Sequence, residues 1–300
     1  MVTPDRPITA GVLDSHVHFW DPGRLEYPWL AGIPELNRPF RPDDLAGGAE
    51  AVIVVQADCR WDQVADEVAW FQSLAAQGAP IRGIVAALPL ELGPGPATIA
   101  ALARQPLVVG VRRLLQDEPP GFALQPQFVA GVRQLAGAGL TFDLCVRHHQ
   151  LPEVTALVER CPKVTFVLDH LGKPEVAAGR RSSWAGDLTR LAALPNVRCK
   201  LSGLSSEADE STRTLEHIGP FLRHAVEVFG PERCLFGTDW PVAGLTISPR
   251  GWFDLVVAAL PDLTEAEHEM IMSGTATAVY CPPGRPGRPD RADDQTMGRS

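Results

Sequence analysis

The chain has 300 residues, 45% hydrophobic and 21% charged, an ordinary globular balance with room for one large barrel or two smaller domains. A core of that size needs no disulfide or structural metal. The formal net charge of -9 repels phosphate backbones, so nucleic acid is not an expected partner.

The first ten residues, MVTPDRPITA, lack the apolar stretch of a signal peptide. A first strand is predicted over 11–18, GVLDSHVH. Residues 19–45 then break the rhythm with Pro22, Pro28, Pro34, Pro39 and Pro42 beside Trp20 and Trp29, and are expected to form a partial lid. A second strand follows over 51–57. In 62–77, Val64, Val68, Phe71 and Ala75 fall on one helical face. Strands are predicted over 81–88 and 107–114. A helix follows over 126–138, carrying Phe128, Val132, Leu135 and Ala136, with Gly139 as its stop. Further strands are predicted over 140–146, 164–170, 197–203 and 234–240. Residues 282–300 have almost no apolar content and are expected to be a disordered tail. No internal repeat is visible, and no run approaches the roughly 18 apolar residues of a membrane span.

Near-continuous apolar runs suit strands buried on both faces. Eight of them alternating with helices point to one closed parallel (β/α)8 barrel over residues 1–281. A doubly wound sheet would show a glycine-rich phosphate turn after the first strand, where this chain has DSHVH. None of Cys59, Cys145, Cys161, Cys199, Cys234 and Cys281 forms a C-x-x-C pair, so the expectation is a reduced, cytoplasmic protein. Its partner is then a small molecule, with no membrane partner and with assembly into a homo-oligomer left open.

A parallel barrel carries its chemistry where the strands end at their C-terminal face. Asp14, His16 and His18 are two apart, so all three can face the axis. The H-x-H pair could share a metal or grip a substrate oxygen, although alone it is a weak signal. His170 ends the sixth strand and Asp239 the eighth; the fourth carries Arg112 and Arg113, the seventh Lys200, and His148 and His149 follow the fifth. Other roles stand beside these: a helix N-cap for Asp239, a core histidine for His170, and a structural ion pair for Arg112 and Lys200. Trp20, Trp29 and Trp240 offer flat faces for sugar C–H surfaces, or plain core packing. His217, His224 and His268 fall in helical spacers and are expected to face solvent.

Together, DSHVHFWDP, YPWL, LDHLGKP, CKLSGL and LFGTDWPV resemble the amidohydrolase-related (amidohydrolase 2) family, in its L-fuconolactonase and L-rhamnonolactonase branch. The resemblance runs over residues 12–242 and is specific as a set. It implies a distorted (β/α)8 TIM barrel of the amidohydrolase superfamily type and hydrolysis of a sugar-acid lactone. It also implies that Asp239 handles the water while His16, His18 and His170 surround the carbonyl. Other relatives are a pyrone-dicarboxylate lactonase that works without metal and metal-dependent decarboxylases of aromatic acids, and these are the alternative functions. The fourth strand lacks the lysine that carries a bridging carbamate in two-metal enzymes. The expectation is therefore at most one divalent metal, suited to zinc, on His16, His18 and Asp239, with His148 or His149 as a further candidate. No cofactor is obligatory, because a lactone is more reactive than an amide. The chain departs from the family pattern at Thr275, where relatives tend to have asparagine, and this bears on helix packing.

Asp239 is the expected base, and the one other carboxylate recognised at a strand end is Asp14, deeper on its strand. Arg112, Lys200 and His149 are the expected polar contacts of the substrate. The substrate itself is expected to be a neutral lactone of a six-carbon sugar acid. Two carboxylates in a dry pocket would want more cations than Arg112, Arg113, Arg147, Lys173 and Lys200 can turn inward, and Lys173, before a proline, is expected at the rim.

Overall fold

The computed structural model describes residues 11–45 and 49–282. Its strands are β1 (Leu13–Val17), β2 (Ala51–Val55), β3 (Ile81–Ala87), β4 (Val108–Arg112), β5 (Thr141–Leu144), β6 (Phe166–Leu168), β7 (Val197–Leu201) and β8 (Cys234–Phe236). They pair in parallel and in chain order. The ring closes by a parallel bridge from Val17 to Trp240, where the N–H of His18 donates to the Trp240 carbonyl at 2.8 Å. This is the expected (β/α)8 barrel. The predicted strands overshoot the observed ones mostly at the C-terminal end, where polar residues leave the ladder for irregular backbone.

The helices are α1 (Val64–Ala76), α2 (Pro96–Ala103), α3 (Pro126–Gly137), α4 (Leu151–Arg160), α5 (Ser182–Ala192), α6 (Leu215–Phe229), α7 (Pro249–Ala259), α8 (Glu265–Glu269) and α9 (Thr275–Tyr280). Each long one buries a stripe against the barrel. In α4 the buried residues are Leu151, Val154, Leu157 and Val158, three or four apart. Gly139 follows α3 with φ 66°, the left-handed stop read from the sequence.

The distortion lies after β1. Among the described residues no α-helix stands between β1 and β2, and the prolines there support only short 3-10 turns at Pro28–Gly32 and Pro42–Asp44. This segment is tied down by an aromatic cluster. Trp20 packs edge-on to Trp29 and Phe40 at 5.2 and 5.1 Å between ring centroids, and Phe40 meets Trp240 at 5.6 Å.

The barrel interior has two layers. Ile53, Val55, Val85, Val109, Val167 and Leu235 form the apolar one, closed by Ala276 and Tyr280 of α9. Thr275 opens α9 after a π-helical turn and donates to the Pro231 carbonyl at 3.2 Å, so the helix forms with threonine there. The other layer is ionic. Lys200 Nζ stands 2.6 Å from Asp143 Oδ2 and 3.0 Å from Asp169 Oδ1, and Tyr280 donates to Asp143 Oδ2 at 2.7 Å. All six cysteines are buried and free. Among the described residues no helix is long and apolar enough to cross a membrane. The expected tail, 282–300, lies outside the described residues except for Pro282.

Candidate active site

On β1 the Nε2 atoms of His16 and His18 are 3.1 Å apart. His18 Nδ1 donates to the Val55 carbonyl at 2.8 Å, which fixes the ring with Nε2 turned toward His16 and Asp239. His16 Nδ1 has an acceptor on one side, Asp169 Oδ1 at 3.3 Å, and a donor on the other, Lys200 Nζ at 3.2 Å. Asp14 does not join them. Its carboxylate accepts from the N–H groups of His16 and Thr238, each at 3.0 Å, and from the Thr238 hydroxyl at 2.5 Å. It clasps β1 to the chain after β8. The pairing of β1 with β2 slips between Asp14 and Val17, so the simple alternation that put all three residues on one side fails here.

Asp239 stands beyond β8 with φ 59°, its N–H donating to the His16 carbonyl at 2.9 Å. Its Oδ1 lies 3.7 Å from His16 Nε2, 3.6 Å from His18 Nε2 and 3.9 Å from His170 Nε2. Burial pushes this carboxyl up, but His170, the hydrogen bond from His18, and His16 outweigh it and hold Asp239 below the usual carboxylate range. Burial pushes His16 well below the ordinary imidazole range and His170 down to about 4, so both rings are neutral at pH 7.

His170 begins a left-handed run in which His170, Leu171, Gly172 and Lys173 have φ of 54°, 54°, 71° and 50°. Such backbone costs about 1–2 kcal/mol for each residue with a side chain, and strain of this kind gathers at functional sites. Ser202 fixes the His170 ring at Nδ1, 2.8 Å away. Behind it, a Cβ on Gly203 would stand 2.5 Å from His170 Nδ1 and 3.1 Å from Asp239 Oδ2, on backbone with φ 68°. Gly203→Ala is expected to push the ring off Ser202 and lower kcat/KM by about 10²-fold, because an ångström of misplacement has that effect. Steady-state kinetics on a variant with unaltered far-ultraviolet circular dichroism makes the check, and parental activity would remove His170 from the reacting geometry.

His18, His170 and Asp239 open into a cavity of about 260 Å³ that Arg112, Lys173 and Trp29 also line, with His16 fully buried behind them. Trp20 also lines it, with its indole N–H donating to the carbonyls of Leu36 and Arg38, each at 3.0 Å. Arg112 reaches it while donating to the Gln56 carbonyl at 2.6 Å and standing 3.3 Å from Asp169 Oδ2. Four of the expected site residues are not brought there. Lys200 is fully buried in the ionic layer, satisfied by Asp143 and Asp169. Trp240 packs on Phe19 and Phe40. His148 turns to Glu175 at 3.6 Å, and His149 is exposed on the same outer turn. Lys173, expected at the rim, faces the cavity. Asp143 and Asp169 went unrecognised in the sequence, since each sits inside or against an apolar run. The signal was a carboxylate in a strand otherwise free of charge, which a buried cation must balance.

His16 Nε2, His18 Nε2 and Asp239 Oδ1 fit a divalent ion. Their spacings of 3.1, 3.6 and 3.7 Å compare with about 3.3 Å between ligand atoms on a tetrahedral ion with bonds of about 2.0–2.1 Å. A second triad, His16, Asp169 and His170, shares His16, and its Asp169 is ion-paired to Lys200 and Arg112. The described residues are thus consistent with one divalent metal.

Comparison with known proteins places this geometry. The family model described as Amidohydrolase matches residues 13–281. An L-fucono-1,5-lactonase of Burkholderia multivorans is 37% identical over 90% of this chain and 96% of its own. A second L-fucono-1,5-lactonase, from Burkholderia ambifaria, is 32% identical over 78% of this chain and 81% of its own. The crystal structure of an amidohydrolase from Burkholderia multivorans with bound zinc superimposes with a TM-score of 0.80 at 36% identity, covering 90% of this chain and 98% of that one.

Proposed function

The chain belongs to the amidohydrolase family, and from that premise we propose that it hydrolyses the ring ester of a sugar-acid lactone, in the manner of an L-fuconolactonase. The observation that carries this reading is the convergence of Asp239 with His16, His18 and His170 at the floor of a small cavity. Two lactonases of matching length support the substrate class. His16, His18 and Asp239 would hold the metal, for which zinc suits the imidazole and carboxylate donors. When bound, such an ion polarises a carbonyl and acidifies water toward neutral pH.

Asp239, ionised at neutral pH, takes the proton of the attacking water. A free aspartate, with a pKa of about 3.9, is a weak base, and the depressed Asp239 is weaker still; a metal held by His16, His18 and Asp239 would supply acidification of the water. The water oxygen bonds to the carbonyl carbon. His170 and the Arg112 guanidinium face the charge that grows on the carbonyl oxygen. The ring C–O bond then breaks, and Asp239 returns its proton to the departing oxygen. A carboxylic acid and a free hydroxyl result, and the acid releases its proton to solvent to leave the carboxylate. The buried free cysteines suit a reducing compartment such as the cytoplasm, and the product suits carbohydrate catabolism.

The test is acid release in weak buffer from fucono-, rhamnono-, galactono- and glucono-lactones against a pyrone dicarboxylate, before and after removal of metal by a chelator. A sugar lactone is expected to be the best substrate, and turnover is expected to fall with the metal. A preference for the dicarboxylate of about tenfold in kcat/KM, roughly 1.4 kcal/mol of transition-state binding, would overturn the sugar reading.

A further inference from the structure

Of the five cations read from the sequence near the strand ends, four are neutralised from within the protein. Arg112 stands on Asp169, Lys200 on Asp143 and Asp169, Arg113 on Glu91 and Glu118, and Arg147 on Asp117. Lys173 differs. Its Nζ donates to the neutral amide oxygen of Gln116 at 2.5 Å, and among the described residues no carboxylate forms an ion pair with it. Asp239 and Glu207 attract it from further off. Gln116 lines the same cavity, so the lysine and its amide prop form one wall of it.

Lys173 is aimed there by unfavourable backbone. It ends the left-handed run that His170 begins, and residues three apart on so tight a turn share a face. One strained turn therefore delivers both an imidazole and an ammonium to the cavity. A surface lysine would need no such turn.

We propose that Lys173, propped by Gln116, is an anion subsite that takes the single carboxylate of the ring-opened sugar acid. This rests on the lactonase reading. The substrate enters neutral; addition of water and cleavage of the ring C–O bond leave one carboxylate, one hydroxyl and one released proton. The cavity then holds one new negative charge and one cation without a carboxylate of its own. Lys173 thus also sets specificity, since the other cation lining the cavity, Arg112, is already paired with Asp169 when a dicarboxylate brings its second charge.

The experiment uses the full chain and two open-chain probes of one size, L-fuconate and the neutral L-fucitol, with binding followed by calorimetry. In the parent, L-fuconate is expected to bind the tighter. Lys173→Gln is expected to weaken L-fuconate by about tenfold or more, the loss of a charge-assisted hydrogen bond, and L-fucitol by less than about threefold. Lys173→Arg is expected to restore the preference for the acid. Equal losses for both probes, no loss for L-fuconate, or a parent that binds neither would each overturn the proposal. If the parent opens no lactone yet its preference for the acid depends on Lys173, the lactonase reading fails and the anion subsite stands.

Discussion

Asp239→Asn is expected to leave the fold intact and to lower kcat by about 10²–10⁴-fold, the contribution of a positioned general base. Asparagine keeps the size of the side chain and the backbone bond from residue 239 to the His16 carbonyl at 2.9 Å. It loses the negative charge that faces three imidazoles within 3.9 Å, and with it the group proposed to accept and return the proton. The change removes the charge of a proposed metal ligand as well, so bound metal is expected to fall alongside turnover. Kinetics and elemental analysis on the purified variant make the check. A kcat near the parental value would mean that the water is handled elsewhere.

Lys200→Met is expected to destabilise the protein by about 3–5 kcal/mol, the usual effect of removing one partner from a buried ionic cluster. Methionine fills the space, but Asp143 and Asp169 then share the barrel interior without their common cation. Burial already pushes Asp143 above the usual carboxylate range, against the pull of Lys200. Adding Asp143→Asn should recover part of the loss, because it removes the charge left without a cation, while Asp169 keeps Arg112. Urea unfolding of the single and double variants measures both effects. A single variant as stable as the parent would show that the ionic layer does not hold the barrel.

The difference between legible and illegible parts follows from this layer. The eight strands stand out in the sequence because strands buried on both faces are unbroken apolar, β-branched runs such as AVIVV and VVGVR. His16, His18, His170 and Asp239 stand out because polar residues at the ends of such runs meet at one rim of a barrel. Asp143 and Asp169 do not, since a charged residue within a strand shows its purpose only once the facing strand is known. Lys200 was weighed as a substrate contact or as half of an ion pair, and its partners lie 57 and 31 residues away in the chain. His149 looked close because it follows β5, yet the chain there turns outward into α4. Proline spacing in 19–45 marked a long loop after β1 but not the aromatic packing that ties it down.

Tyr280 is joined to Asp143 across 137 residues of chain. Protein synthesis delivers all eight strands before it delivers α9. A nascent chain at that stage has its complete ladder, while Leu13, Val85 and Leu235 still look out through an open floor. Its ionic layer also lacks one hydrogen bond. The partly made barrel is therefore sticky at one end, where a chaperone or a neighbouring ribosome's product finds apolar surface. Release of the segment that carries Tyr280 covers that end with Ala276 and Tyr280 and adds the last hydrogen bond to Asp143.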